Sequence, residues 1–85
     1  MNDLREIKKL TKTELILLLK SNIGKLLTIR FKRQDGSEKT VNGQYTGHIT
    51  ELGYHQFKAK GDYNLFDAKN LLEVRVNKII YQLKK

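Results

Sequence analysis

The chain has 85 residues, 39% hydrophobic and 31% charged, and 17 Lys+Arg against 9 Asp+Glu give a formal charge of +8. That length holds one small domain and no second core, and the composition is too apolar for a disordered tail and too polar for a membrane protein. Without cysteine there are no disulfides or thiolate metal sites, and reducing cytosol is the expected compartment.

The longest apolar run, Leu15 to Leu19, is far shorter than the ~20 residues of a bilayer span. Asp3, Arg5, Glu6 and Lys8 interrupt the N-terminal stretch, so no signal peptide is expected. The size also argues against an enzyme. A domain of this length buries only about 60% of its unfolded surface, which leaves little volume for a deep, water-excluding pocket. The excess of positive charge points to an acidic partner, either nucleic acid or an acidic protein surface.

From Asp3 to about Asn22 the apolar period is helical. Asp3 and Glu6 have capping-box spacing, and Thr11 and Glu14 repeat it. The segment is therefore one helix, or a short turn followed by a main helix from about Thr11 to Lys20. Leu4, Ile7, Leu15, Leu18 and Leu19 can share a stripe, and Lys8, Lys9, Lys12 and Lys20 stay in water. Asn22 and Gly24 supply the stop.

The remainder reads as β. Leu27, Ile29 and Phe31 alternate with Thr28, Arg30 and Lys32, as in a half-buried strand. Asp35–Gly36 predicts a hairpin with a primed turn. Thr40 to Thr46 return with Val41 and Tyr45 on the apolar face, and Gly43 between them permits a bend or bulge. A third strand is expected from Gly47, carrying Ile49 and Leu52, with a turn at Gly53 and a return over Tyr54 to Lys60. After Gly61–Asp62 come Tyr63 to Asp67, Leu71 to Val76 and Ile79 to Leu83, broken at Lys69–Asn70 and Asn77–Lys78. A helix and then short strands at regular spacing predict a mainly β chain: a small antiparallel SH3-like (Sm-like) barrel over 23–85, preceded by a helical segment over 1–22, all one domain. The helix is expected to cover one open end of the barrel.

Ile23–Gly24–Lys25–Leu26–Leu27–Thr28–Ile29–Arg30–Phe31–Lys32–Arg33–Gln34–Asp35–Gly36–Ser37, with Lys39–Thr40–Val41–Asn42, resembles small phage-borne Sm-like SH3-barrel domains grouped near the WYL-type domains. Leu65–Phe66–Asp67 and Arg75–Val76 fall where that family has an aromatic–Asp step and an Arg before the last strand. The similarity spans roughly Ile23 to Leu83. It departs at Lys39, where the family usually has Arg, at Val41, where it often has Met, and over Tyr45 to Lys60. The resemblance implies a fold, a viral origin and the cytoplasm of a bacterial host. It implies no established activity.

Eight cations are candidates for binding phosphates or an acidic partner: Arg30 and Lys32 on one strand face, Arg33 at the hairpin shoulder, Lys39 on the return, and Lys58, Lys60, Arg75 and Lys78 beyond. One by one, such residues are ordinarily the solvated face of a half-buried sheet. Tyr45 and Tyr54, each with a histidine nearby, are candidate stacking platforms, and Tyr63 and Tyr81 are weaker ones. Phe31, Phe57 and Phe66 fall on the apolar alternation and read as core. A Tyr in so small a domain more often buries its ring. His48 and His55 have no third ligand in register, so they read as surface histidines and no metal is expected. Asp67, beside a turn, reads as a ligand for backbone amides. Leu15 to Leu19 is apolar around most of a helix, so Ile16 and Leu17 exceed what one stripe requires and mark a candidate protein interface or homo-oligomer contact, unless the helix is deeply wedged.

The expected function is a non-enzymatic basic binding module that associates with nucleic acid or a nucleic-acid-handling complex, without cofactor or membrane. The alternative is a phage-encoded protein-binding inhibitor or regulator of a host defence protein, such as a CRISPR effector, or of a transcription protein. The positive charge argues against DNA mimicry.

Overall fold

Thr11 starts the helix. Its side chain accepts a hydrogen bond from the Glu14 amide, and the Glu14 carboxylate accepts one from the Thr11 amide. This reciprocal cap satisfies two donors that a helix N-terminus otherwise leaves unpaired. In the computed structural model, which describes residues 6–84, helix α1 runs Lys12–Lys20 and ends at Ser21, whose amide and hydroxyl both donate to Leu17 O. No helix among the described residues is long and apolar enough to cross a membrane.

The segment before Thr11 departs from the helical expectation. Glu6–Leu10 is strand β1, and it lies parallel to β7, with Glu6 opposite Ile79 and Leu10 opposite Leu83. Glu6 to Lys9 are all exposed, so their spacing carried no burial signal, and a backbone partner from the far end of the chain decides their conformation. The Asp3 cap and Leu4 lie outside the described residues.

Six further strands follow: β2 (Leu26–Lys32), β3 (Glu38–Ile49), β4 (Tyr54–Ala59), β5 (Asp62–Asp67), β6 (Leu71–Val76) and β7 (Ile79–Leu83), with a 3-10 turn, Ala68–Asn70, between β5 and β6. All belong to one sheet in the order β1-β7-β6-β2-β3-β4-β5, antiparallel except at β1–β7. The described residues are thus mainly β with one α-helix. One feature of the expected architecture is corrected, because a strand precedes the helix; the sheet itself is not closed, and β1 and β5 form its two edges.

The return strand and the strand expected from Gly47 are one long strand. β3 pairs with β2 from Glu38 to Gln44 and with β4 from Gln44 onward. A register shift between Tyr45 and Ile49, with Gly47 at φ 84°, bends it without ending it. Leu52 falls in the following turn and is 85% exposed, so it is not a strand residue. Gly43 marks the crossing between the two halves. A Cβ there would overlap the Lys58 carbonyl of β4, so only glycine lets the two backbones approach this closely.

The hairpin at Asp35–Gly36 forms with a different turn from the one expected. Gly36 N donates to Arg33 O, and neither Gln34 nor Asp35 has positive φ, so the turn is unprimed and Gly36 (φ 91°) supplies the left-handed residue after it. Asp35 Oδ1 accepts from the Ser37 amide and hydroxyl. The primed signature occurs instead at Lys60–Gly61, with φ 52° and 84° between the paired Ala59 and Asp62.

The bend wraps the sheet around one core. Leu27, Ile29 and Phe31 of β2, Val41 and Tyr45 of β3, Phe57 of β4, Phe66 of β5, and Leu71 and Val74 of β6 meet there with Leu15 and Leu19 of α1. Leu15 and Leu19 are fully buried, and α1 packs against β6, β7, β1, β3 and the 3-10 turn. The Lys12 ammonium donates to the Lys69 carbonyl, which ties the helix to that turn. Truncating either leucine to Ala removes packing worth about 2–5 kcal/mol.

Two glycine substitutions rank the two constraints. Gly36→Val forces a branched side chain into the left-handed region, costing about 1–2 kcal/mol and lowering Tm by several degrees. Gly43→Ala displaces backbone and destabilises the domain more than Gly36→Val does. Thermal unfolding followed by circular dichroism measures both, and a Gly43→Ala variant as stable as wild type would contradict the close approach.

Candidate nucleic-acid interface

The alternation that buries Leu27, Ile29 and Phe31 turns Thr28, Arg30 and Lys32 to the outer face of the sheet. Register carries that face across five strands: Lys9 of β1 lies opposite Gln82 of β7, Gln82 opposite Glu73 of β6, Glu73 opposite Arg30 of β2, and Arg30 opposite Thr40 of β3. The side chains join across this row. Lys9 Nζ donates to Gln82 Oε1 (2.7 Å), and Gln82 Nε2 and Arg30 Nη2 both donate to Glu73 Oε1 (3.2 Å each). Arg75 Nε donates to Glu73 Oε2 (2.5 Å), and Arg30 Nη1 donates to Glu38 Oε1 (2.5 Å).

Glu73 is the hub of this row and is only 3% exposed. Burial pushes its carboxyl up, but hydrogen bonds from Arg75, Gln82 and Arg30 outweigh that and hold it below the ordinary carboxylate range. Two of the candidate cations, Arg30 and Arg75, are therefore committed to this carboxylate. Either one could reach a phosphate only by leaving a buried carboxylate short of a partner.

The other candidates separate onto different surfaces. Lys39 Nζ donates to Asn64 Oδ1 (2.7 Å), bridging β3 to β5 across the curl of the sheet. Lys39 and Lys60 line one shallow recess with Asp62 and Asn64. Lys58 stands over the Tyr63 ring, 5.9 Å from its centroid. Lys78 lies in the turn between β6 and β7. Lys32 and Arg33 stay together beside a cleft of about 580 Å³ between the β2–β3 hairpin and the β5 end with its 3-10 turn.

That cleft is lined by Phe31, Lys32, Arg33, Gln34, Tyr54, Leu65, Phe66, Asp67, Lys69 and Asn70. Its floor is set by the core, where Phe31 stacks on Phe66 with ring centroids 5.4 Å apart. Tyr54 is half-buried at the wall, and its hydroxyl meets Gln34 Nε2 at 3.4 Å. Asp67 Oδ1 accepts from the Lys69 amide (3.0 Å), the amide-binding role read for it in the sequence, and this cap aims the 3-10 turn. Lys69, which reads in sequence only as a break between strands, is the third cation at the mouth. Its ammonium lies 3.7 Å from the Asp67 carboxylate but is largely exposed, so that pairing is weak. Three cations, one half-buried ring, the side-chain amides of Gln34 and Asn70 and the Asp67 carboxylate line this one concave site.

The aromatic candidates divide in the same way. Tyr45 is fully buried and is corrected from stacking platform to core. Its in-phase position with Val41 points it inward, where its hydroxyl meets His55 Nδ1 at 2.8 Å. His55 is likewise not a surface residue, being 6% exposed. It stacks between Tyr45 and Phe66 at 5.9 Å and 5.5 Å, so four rings from Tyr45 to Phe31 form a column through the core. Burial, then the Lys20 charge, lower the His55 pKa from the ordinary 6.5, and Asp67 opposes them weakly. On α1, Ile16 is half-buried against the core and Leu17 is 56% exposed.

Comparison with protein-family models, with characterised proteins and with solved structures finds no match for this chain.

The buried histidine sets a pH dependence. Its folded pKa lies below the unfolded value, so the fold keeps this stability above about pH 6.5 and loses it as pH falls below that. Glu73 shifts in the same direction and contributes a further loss only below about pH 4.5. Urea unfolding from neutral to mildly acidic pH should show falling wild-type stability and a flatter profile for His55→Phe. Parallel profiles would mean that His55 is not held neutral by the core.

Proposed function

We propose that this chain is a non-enzymatic basic binding module that associates with nucleic acid through the cleft between the β2–β3 hairpin and the 3-10 turn. The observation that carries the reading is that Lys32, Arg33 and Lys69 line the same cleft as the half-buried Tyr54. Cations beside a ring suit a phosphate backbone and an unpaired base, and counterion release makes such binding steep in salt. The strand order β6-β2-β3-β4-β5, curled on one core with a 3-10 turn before β6, supports reading the domain as an open relative of the SH3-like (Sm-like) barrel. With the sequence resemblance, that supports a phage-encoded protein acting in the cytoplasm of its bacterial host.

A second reading has its own support. Leu17, Ile23 and Leu52 are 56%, 52% and 85% exposed, more aliphatic surface than a lone charged module needs. It favours a protein partner: a second copy meeting through α1 by way of Ile16 and Leu17, or an acidic host protein of defence or transcription that the module regulates.

Charge reversal separates the two readings. Lys32→Glu with Arg33→Glu should weaken nucleic-acid binding across all sequences and reduce the salt slope by about 1.4, on the basis of ~0.7 per lost phosphate contact on a single strand. Both side chains are exposed, so the fold tolerates the change. Arg30→Glu is no substitute, since it places a second acid against Glu73. Fluorescence anisotropy over a salt series makes the measurement, and absence of binding at low salt moves the assignment to a protein partner.

A further inference from the structure

The outer face of the β4–β5 hairpin continues the cleft. β4 alternates core residues His55 and Phe57 with outward Tyr54, Gln56 and Lys58, and β5 alternates Asn64 and Phe66 with outward Tyr63, Leu65 and Asp67. Register places Tyr54 opposite Asp67, Gln56 opposite Leu65, and Lys58 opposite Tyr63. The face therefore carries a ring at each end and a large aliphatic between them. Tyr63 is 59% exposed and Leu65 50%.

The two rings are four residue steps apart along the ribbon, or about 13 Å. Neighbouring bases in a duplex strand rise only about 3.4 Å, and their faces are already stacked on one another. A duplex can offer this surface phosphates but no base faces, whereas an unstacked strand can offer both.

Charge follows the same path. Lys32, Arg33 and Lys69 line the cleft at the Tyr54 end, and the Lys58 ammonium lies over the Tyr63 ring at the other. Two acids accompany them. Asp67 is engaged with the Lys69 amide and ammonium, and Asp62 stands exposed at the hairpin turn.

We propose that the β4–β5 face binds single-stranded nucleic acid in an extended form, with one base on Tyr54 in the cleft and a second, farther along the strand, on Tyr63. This rests on the nucleic-acid reading above and adds to it the strandedness, the second platform and the path between them. Phosphates between the two bases pass Lys58 and the cleft cations, and Leu65 supplies the apolar surface beneath the strand.

Anisotropy with labelled oligothymidylates of increasing length, and with a mixed-sequence duplex, tests this. Affinity should rise in a step once the oligonucleotide spans both rings, and the single strand should bind more tightly than the duplex. Tyr63→Ala should remove the step, about tenfold, while leaving the shortest oligonucleotides unaffected. Tyr54→Ala should weaken short and long alike by a similar factor, and Tyr54→Phe and Tyr63→Phe should bind as wild type, which separates loss of a ring from loss of fold. If both Ala variants bind as wild type and duplex equals single strand, the proposal is overturned and binding by charge alone stands. If no nucleic acid binds even at low salt, the nucleic-acid reading itself falls, and this proposal with it.

Discussion

The close approach of Gly43 to the Lys58 carbonyl is the constraint on which the rest of the structure depends. It allows one strand, β3, to serve two halves of the sheet, pairing with β2 before the crossing and with β4 after it. A flat sheet would leave Phe31 and Phe66 far apart, since their strands are separated by β3 and β4. The bend brings them into contact, and the Tyr45–His55–Phe66–Phe31 column fills the space so enclosed. The cleft is the outside of that contact: its walls are the hairpin that follows Phe31 and the turn that follows Phe66.

Glu73 then divides the positive charge by role. A buried carboxylate with three donors locks β2, β6 and β7 together and removes Arg30 and Arg75 from the binding inventory. Lys9 is drawn into the same row through Gln82. Of the cations left at the cleft, Arg33 and Lys69 stand apart from this row, and Lys32, on the same strand face as Arg30, borders both. Net charge alone overstates the surface available to a phosphate chain, because part of it is paired with the protein's own Glu73. Burial also lowers the His55 pKa, which disfavours a charge within the ring column whose packing shapes the cleft.

Much of the local structure was legible in the sequence. The Thr11–Glu14 pair marks the helix start, the alternation of Leu27, Ile29 and Phe31 marks β2, and Gly53, Gly61 and Asn77–Lys78 mark turns. What was hidden depends on partners distant in sequence. β1 has no buried face of its own and exists through β7. Arg30 reads as free until Glu73 arrives, 43 residues later, to hold it. Gly47 reads as a strand start because a bend within a strand and a break between strands use the same residue. Tyr45 and Tyr54 look alike as rings beside histidines. Their difference lay in phase, because Tyr45 follows Val41 and Gly43 inward. Lys69 carried no signal, since only the cap by Asp67 sets it at the cleft.

The central claim is that the surface from the β2–β3 hairpin to the β4–β5 hairpin, and not the Glu73 row, meets nucleic acid. An amide chemical-shift titration of the labelled protein with a single-stranded oligonucleotide tests it most directly. The account predicts shifts concentrated at Lys32 to Gln34, Tyr54 to Lys58 and Tyr63 to Asn70, with Arg75, Gln82 and Lys9 unmoved. Shifts centred on Arg30, Arg75 and Gln82, or on α1, would contradict it.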